Sequence, residues 1–341
     1  MFKKHKILYV PPRSHTERVF TREDFETLLR IFDVTVNTKD RNLSSDEVAE
    51  LIPGMDGLVT GWGSPELTDK VFEKADKLKI IVHSAGSVRP ILPKAVVEKY
   101  IISRGICVVN CRRAIAYNVA ESTVGMMIMA LRRWFDHIQA YREKGVWRSP
   151  EIPMNGQYLR GATVGVIGAS TVGKEVIKLL RPFDVKILVY DPYLSEWEAG
   201  NLNVRKVELN EIFEKCDVIS VHAPLTSETY HMIGRDQLKR MKDGAVLINT
   251  SRGGVIDHNA LLEECEKGRI IAFLDVTEPE PLPPDSSFRK LKNVFITPHI
   301  TGTGYYGYYM IGKIVVKSLE DFFMGRTVED ALNMNLYDIT A

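Results

Sequence analysis

The chain has 341 residues, of which 45% are hydrophobic and 26% charged, and its formal net charge is +1. This composition is typical of a soluble globular protein, and the length predicts two domains rather than one. The near-neutral charge gives no reason to expect a nucleic-acid partner. No apolar run approaches the length of a membrane span, so no membrane association is predicted.

The four cysteines, Cys107, Cys111, Cys216 and Cys265, include no C-x-x-C pair. Neither a disulfide framework nor a metal site is therefore indicated. The basic start, MFKKH, precedes an apolar run that is too short for a secretory signal and that fits a first strand better. We therefore expect a cytoplasmic protein without a bound metal.

The first 110 residues alternate between short apolar runs and helical patterns. This alternation predicts a parallel sheet with helices on both faces. The predicted strands are Lys6–Val10, Asp33–Val36, Gly57–Thr60, Lys79–His83 and Cys107–Val109. The predicted helices are Thr21–Ile31, Ser44–Leu51 and Pro65–Lys74.

A long helical pattern then covers Asn118–Lys144. Its first half is apolar almost all round, which predicts that this half is buried. We expect the helix to connect two α/β halves or to form an oligomer interface. An extended loop, Gly145–Leu159, leads from it into the next unit.

The stretch Thr163–Pro192 reads as a strand, a tight turn, a helix and a second strand that ends in Asp191. A turn that opens a helix between two strands is the setting of a dinucleotide site, because the first helical N–H groups lack partners and attract phosphate. Asp191, 18 residues past Gly173, can accept hydrogen bonds from a ribose diol. Ser170 stands where the usual pattern has its middle glycine. The alternative is a βαβ unit with a tight turn and no ligand.

Alternation resumes after Asp191 and predicts a second doubly wound sheet. Its further strands are Val218–His222, Ala245–Asn249, Ile270–Val276 and Val294–Thr297. Its helices are Glu208–Lys215, Asp236–Met241 and Asn259–Lys267, and a last long helix covers Gly304–Met324.

Arg252, Glu280 and His299 each follow a predicted strand of this second sheet. The carboxyl ends of parallel strands open on one side, so the three side chains can converge. Arginine can grip a carboxylate, histidine can exchange a hydroxyl proton, and a carboxylate can orient that histidine. Singly, each could instead be a surface or backbone-bonding residue. Together they suit hydride transfer at a carbinol carbon.

Six segments carry a specific resemblance, in unbroken order across about Gly161–Gly302: GATVGVIGASTVGKEV, VYDP, HAPLTSETYHMI, MKDGAVLINTSRGGVID, LDVTEPEPL and TPHITG. With them the chain resembles the D-isomer-specific 2-hydroxyacid dehydrogenase family. The resemblance implies an α/β fold of two doubly wound parallel-sheet domains. A Rossmann NAD-binding domain, residues 113–304, is expected inside a flavodoxin-like catalytic domain, residues 1–112 and 305–341.

The resemblance also implies an NAD-dependent oxidoreductase that interconverts a 2-oxo acid and a D-2-hydroxy acid, and a homodimer. It implies that Arg252 binds the substrate carboxylate, that His299 acts as the acid/base and that Glu280 is the partner of His299. The backbone of Ala85, Gly86 and Ser87 is expected to help hold the carboxylate. The residues expected to bind the cofactor are Gly168, Ser170, Thr171, Val172, Asp191, Ala223, Pro224, Thr229, Thr250, Ser251, Asp275 and Gly302.

Several segments depart from the family pattern. They are Ser170, the stretch HSAGSVRP at 83–90, Cys111-Arg112-Arg113, and the tyrosines at 305, 306, 308 and 309. Two other functions therefore stay open. One is a non-catalytic NAD(H)-sensing scaffold of the corepressor kind. The other is a phosphoglycerate-type dehydrogenase, for which Arg89, Arg112 and Arg113 could supply charge. No feedback through a domain beyond residue 341 is expected.

Overall fold

A computed structural model describes residues 4–154 and 156–337. The chain falls into two compact units. The first contains the residues up to Ile115 and those from Thr303 onward, and the second is Ala116–Gly302. The domain boundaries expected from sequence lie at 112/113 and 304/305.

Twelve short strands are present in the described residues. In chain order they are β1 (Lys6–Tyr9), β2 (Asp33–Val36), β3 (Gly57–Thr60), β4 (Ile80–His83), β5 (Cys107–Asn110), β6 (Thr163–Ile167), β7 (Lys186–Tyr190), β8 (Arg205–Lys206), β9 (Val218–Val221), β10 (Val246–Asn249), β11 (Ile271–Leu274) and β12 (Val294–Ile296).

Thirteen α-helices accompany these strands in the same part of the chain. They are α1 (Arg13–Val19), α2 (Arg22–Ile31), α3 (Ser45–Leu51), α4 (Asp69–Lys74), α5 (Lys94–Val96), α6 (Arg112–Leu131), α7 (Trp134–Lys144), α8 (Thr171–Leu180), α9 (Glu196–Leu202), α10 (Leu209–Lys215), α11 (Arg235–Lys239), α12 (His258–Glu266) and α13 (Tyr305–Phe323).

Both sheets are parallel throughout. The first has the order β2-β1-β3-β4-β5, and the second has the order β12-β11-β10-β9-β6-β7-β8. These are the flavodoxin-like and Rossmann orders, which confirms the predicted fold class. The central strands β3, β4, β9 and β10 are buried along their whole length, as expected for sheets covered on both faces.

Two predicted helices were wrong in their extent. The pattern at Asn118–Lys144 forms two helices, because Arg133 adopts a left-handed conformation (φ 52°) that ends α6 before α7 begins. The helix predicted from Pro65 starts only at Asp69. The amide of Leu67 instead donates to the carbonyl of Ile91, a bond that a residue inside a helix would not make.

The helix α6 is the one helix in the described residues that is long and apolar enough to cross a membrane. However, 56% of its apolar window is buried. Val124, Met127 and Leu131 belong to the core of the second unit, which they share with β6 and α8. A core helix of a globular protein has the same properties, so this helix is weak evidence for a membrane.

All four cysteines are free thiols. Cys107 and Cys111 lie in the first unit, and Cys216 and Cys265 lie in the second. Cys107 is partly exposed and the other three are buried. Burial raises the pKa of Cys107 to about 11 and the pKa values of Cys216 and Cys265 to about 12.

Candidate active site

The turn between β6 and α8 requires glycine at two places. Gly168 has a φ of +95°, and a Cβ there would lie 2.7 Å from the amide nitrogen of Ala223. A Cβ on Gly173 would lie 2.1 Å from the carbonyl oxygen of Gly168. Ser170 has a φ of −63°, which any residue can adopt, so the turn tolerates its side chain.

Ser170 is the N-cap of α8, and its Oγ accepts a hydrogen bond from the Gly173 amide at 3.3 Å. The amides of Ser170, Thr171 and Val172 donate to no acceptor within the described ranges. Three unpaired amides at the positive end of a ten-residue helix suit an anion. This turn therefore fits the pyrophosphate of a dinucleotide.

Asp191 follows β7 and holds the glycine turn. Its Oδ2 accepts from the amide of Ala169 at 2.7 Å, and its Oδ1 accepts from the amide of Tyr193 at 2.8 Å. Each carboxylate oxygen keeps a further lone pair, so the residue can also accept from a ribose. The sequence predicts the ribose role of Asp191, but it did not predict the contact of Asp191 with the turn.

The loop after β9 lies beside Gly168 and contains Ala223, Pro224 and Thr229. The Thr229 hydroxyl donates to the Pro224 carbonyl at 2.6 Å and accepts from the Thr226 amide at 2.8 Å. These internal bonds fix the loop next to the turn.

Arg252 follows β10 in a short polar turn. Asn249 organises this turn, because its Oδ1 accepts from the Ser251 amide at 3.0 Å and its Nδ2 donates to the Arg252 carbonyl at 2.9 Å. The Thr250 and Thr123 hydroxyls lie 3.2 Å apart. Among the described residues, the guanidinium of Arg252 bonds only the Ser251 carbonyl, at 2.7 Å. Its remaining donors are open to a ligand.

Asp275, which follows β11, is only 2% exposed. Its Oδ1 accepts from the Thr297 hydroxyl at 2.6 Å and from the Ile300 amide at 2.8 Å. Its Oδ2 accepts from the amide of Thr301 at 3.0 Å and from the hydroxyl of the same residue at 2.5 Å. Its carbonyl accepts from the His299 amide at 2.9 Å. Asp275 therefore shapes the loop that carries His299.

His299 and Glu280 form a close pair. His299 Nδ1 lies 2.6 Å from Glu280 Oε1, and both side chains are about half exposed. His299 has a left-handed backbone (φ 55°), which is uncommon for a residue with a side chain. Because Nδ1 faces the carboxylate, Nε2 is left to exchange a proton with a ligand. Gly302, at the end of this loop, accepts from the side chain of Asn118 at 2.9 Å.

A second histidine–glutamate pair lies close to Glu280 in sequence and was not predicted. His231 Nε2 lies 2.6 Å from Glu278 Oε2, and His231 is also left-handed (φ 51°). The buried ring of His258 accepts from the Glu278 amide at 3.2 Å. His231 and Glu278 are ionisable residues within two segments that resemble the family, a signal that could have identified them.

In the first unit, the predicted loop Ala85–Ser87 follows β4 after one residue, Ser84. Arg113, one of three arginines considered for a phosphate, contacts Asp330 through Nε and Nη2 at 3.0 and 2.9 Å. Its Nη1 donates to Glu329 at 2.8 Å. These two carboxylates balance the charge of Arg113.

Three buried histidines make stability depend on pH. Burial lowers the pKa of His15 to about 4 and the pKa values of His83 and His222 to about 3. In the unfolded chain each binds a proton near pH 6.5, so stability is full above about pH 6.5 and is lost as the pH falls toward 4 and 3. Each histidine contributes at most about 1.4 kcal/mol per pH unit in that window. We expect a lower urea midpoint at pH 5 than at pH 7, and equal midpoints would contradict these shifts.

The two sheet orders, the glycine turn and the paired His299 and Glu280 define a two-unit, dinucleotide-binding α/β protein. Residues 124–301 match the family model "D-isomer specific 2-hydroxyacid dehydrogenase, NAD binding domain". The chain therefore belongs to the D-isomer specific 2-hydroxyacid dehydrogenase family, and the matched part, which lies in the second unit, is the family's NAD-binding domain.

Similar proteins agree with this assignment. A D-3-phosphoglycerate dehydrogenase of Methanocaldococcus jannaschii is 37% identical over 86% of this chain and 54% of its own length. The chain thus spans about half the length of that relative. A glyoxylate reductase of Korarchaeum cryptofilum is 32% identical over 96% of this chain and 98% of its own.

A solved structure supports the fold. The NAD-complexed D-isomer specific 2-hydroxyacid dehydrogenase of Lactobacillus delbrueckii ssp. bulgaricus superimposes with a TM-score of 0.78. The match covers 96% of this chain and 100% of that one, at 23% identity.

Proposed function

We propose that this protein interconverts a 2-oxo acid and a D-2-hydroxy acid with NAD(H) as the hydride carrier. The pair of His299 and Glu280, 2.6 Å apart, carries the proposal, because it leaves one ring nitrogen oriented for proton exchange. The loop bearing His299 lies in the segment that matches the family's NAD-binding domain.

Each site residue has a role in this proposal. When bound, NADH supplies the hydride. His299 Nε2 gives its proton to the carbonyl oxygen in reduction and takes it back in oxidation, while Glu280 keeps the ring in place. Arg252 binds the substrate carboxylate through two of its open donors. By family resemblance, the amides of Ala85–Ser87 are also proposed to bind a substrate carboxylate.

The remaining predicted residues are proposed to hold the cofactor. Ser170, Thr171 and Val172 offer amides to the pyrophosphate, and Asp191 accepts from the adenosine ribose. On the nicotinamide side we place Thr250, Ser251 and Asp275. The other residues proposed to bind the cofactor are Gly168, Ala223, Pro224, Thr229 and Gly302.

An NADH-oxidation panel tests the proposal. It contains glyoxylate, hydroxypyruvate, pyruvate, branched-chain 2-oxo acids and phosphohydroxypyruvate. We expect turnover with at least one acid and formation of the D enantiomer. Tight NADH binding with no turnover on any acid would instead support a non-catalytic NAD(H)-sensing scaffold.

A phosphorylated substrate is the second candidate, because a D-3-phosphoglycerate dehydrogenase is 37% identical to this chain. The ion pairs of Arg113 with Glu329 and Asp330 weigh against it, since that arginine is already neutralised. A kcat/KM for phosphohydroxypyruvate well above the value for every unphosphorylated acid would favour the second candidate.

Asp191 should make the protein prefer NAD(H) over NADP(H), because its carboxylate would repel a 2′-phosphate. We expect kcat/KM for NADH to exceed the value for NADPH by about 100-fold. Asp191→Ala should lower kcat/KM for NADH by about 10- to 100-fold, as expected for lost bonds to a charged group.

Asp191→Asn serves as the matched variant for this test. It removes the charge but keeps an oxygen that can accept from the Ala169 amide. We expect it to gain relative activity with NADPH while the turn stays ordered. A wild-type preference for NADPH would contradict the assignment of Asp191.

We propose that the protein is a cytoplasmic homodimer. The four free thiols are consistent with a reducing compartment, and cell fractionation tests the location. Helix α7 has no buried residue in the single chain. Three of its apolar side chains are exposed instead. One face of the helix carries Trp134, Ile138 and Tyr141, which are 45%, 45% and 57% exposed. An apolar face of this kind suits a second copy of the chain.

Ile138→Glu should therefore convert the dimer to a monomer, because it places a charge in the proposed interface. Light scattering coupled to size exclusion measures the mass. Leu179→Glu is the control, since Leu179 is 41% exposed on α8 and lies outside this face. A wild-type monomer, or equal dissociation in both variants, would contradict the proposed interface.

A further inference from the structure

The loop Ala85–Ser87 begins at a buried histidine–serine contact. His15 Nε2, in α1, lies 2.8 Å from the hydroxyl of Ser84, and this hydroxyl donates to the Thr60 carbonyl at 2.6 Å. The single hydroxyl proton is used in the second bond, so the ring N–H of His15 donates in the first. Ser84, immediately before the loop, is therefore held from two sides.

A second buried histidine lies at the same end of the loop. His83 closes β4, and its Nδ1 lies 2.9 Å from the Thr60 hydroxyl. His15 and His83 are both neutral near pH 7, because burial lowers their pKa values to about 4 and about 3. They act as fixed donors and acceptors rather than as charges.

The surroundings of His15 are adapted to its ring. A Cβ on Gly61 would lie 2.5 Å from two ring atoms of His15, so only glycine leaves room there. The ring also packs edge-on against Trp62, with centroids 5.5 Å apart. This close packing restricts the ring to one orientation.

The loop itself presents unpaired donors. The amides of Ala85, Gly86 and Ser87 donate to no acceptor in residues 4–154 and 156–337. The Ala85 carbonyl, in contrast, accepts from the Cys111 amide at 2.9 Å, and Ala85 is fully buried. Buried amides without partners are costly, and an anion that accepts from them removes this cost.

We propose that His15 and His83 are positioning residues that hold the Ala85–Ser87 amides in the orientation that binds the substrate carboxylate. The proposal rests on the proposed function, since it concerns the same substrate. Through Ser84 and Thr60, the two rings fix the start of this short loop. They do not touch the reacting atoms, so their loss should weaken binding more than chemistry.

A matched pair of substitutions tests this role. Thr60→Val keeps the volume but removes the hydroxyl that orients His83, whereas Thr60→Ser keeps the hydroxyl. Ser84→Ala removes the acceptor of His15. Tyr9→Phe is the control, because it removes another buried hydrogen bond of the first unit, 2.9 Å long to the Thr16 hydroxyl, without touching the loop.

Steady-state kinetics give kcat, KM for the best 2-oxo acid and KM for NADH. Calorimetry gives the Kd of oxalate for the NADH-loaded protein. We expect Thr60→Val and Ser84→Ala to raise KM for the acid and the oxalate Kd by about 5- to 10-fold. Their kcat and KM for NADH should change less than about 2-fold. Thr60→Ser and Tyr9→Phe should resemble the wild type.

Losses confined to kcat, or equal losses in Tyr9→Phe, would overturn the proposal. If circular dichroism shows that either Thr60→Val or Ser84→Ala does not fold, KM for the acid and the oxalate Kd of the other variant decide the test. If the wild type turns over no acid, the proposed function fails, and the oxalate Kd values then decide separately on the positioning role. A wild type that also fails to bind oxalate would overturn both.

Discussion

Replacing His299 with glutamine should lower kcat by two or more orders of magnitude, the usual loss when a general acid is removed. Glutamine has neither an exchangeable ring proton nor a conjugate base that works near neutral pH. NADH binding should persist, because the amides of Ser170, Thr171 and Val172 are unaffected. Single-turnover NADH oxidation with the best acid measures the chemical step.

His231→Gln is the matched control for this experiment. His231 is also left-handed and also lies 2.6 Å from a glutamate oxygen, but its partner is Glu278. We expect a change in kcat below about 5-fold, since the proposed chemistry gives this residue no proton to transfer. Near-normal kcat in His299→Gln, or an equal loss in the control, would refute the assignment of His299.

Asp275→Asn should lower both stability and kcat. The buried carboxylate accepts four bonds from Thr297, Ile300 and Thr301. Asparagine replaces one carboxylate oxygen with an NH2 group, which cannot accept a hydrogen bond. The two donors that bond this oxygen in the wild type would therefore be left unpaired. At about 1–3 kcal/mol for each unmade buried bond, the loss of two bonds should lower the free energy of unfolding by about 2–6 kcal/mol.

The loss of kcat in Asp275→Asn should reach about 100-fold, because His299 sits on the loop that Asp275 holds and small displacements of catalytic groups are costly. Urea unfolding and steady-state kinetics measure the two effects. Asp243→Asn is the control, since the Asp243 side chain is 82% exposed and surface changes are usually within about 0.5 kcal/mol. A stable but inactive Asp275→Asn would show that the carboxylate acts on the chemistry directly and not through the loop.

Much of the fold could be predicted from local pattern. The five strands of the first sheet were predicted to within one residue at each end, because short apolar runs bounded by polar turns are a strong signal. The break at Arg133 could not be predicted. A left-handed residue with a side chain has no glycine or proline to mark it, so the continuous helical pattern concealed it.

Only part of the candidate site could be predicted from the sequence, for a similar reason. Residues at strand ends, such as Arg252 and His299, follow from the geometry of parallel sheets. The contact between His15 and Ser84 joins positions 69 residues apart and leaves no local trace. The sequence also left open how Ser170 fits the turn. In the structure, it caps α8 through the Gly173 amide.

The free thiols give each unit its own reporter of unfolding. Alkylating reagents attack thiolates, and a thiol in an unfolded chain has a pKa of about 8.5. Burial holds the pKa of each of the four native thiols well above this value. Cys107 and Cys111 should become reactive when the first unit opens, and Cys216 and Cys265 when the second does. Pulsed alkylation followed by peptide mass spectrometry can therefore distinguish sequential from concerted unfolding without any engineered label.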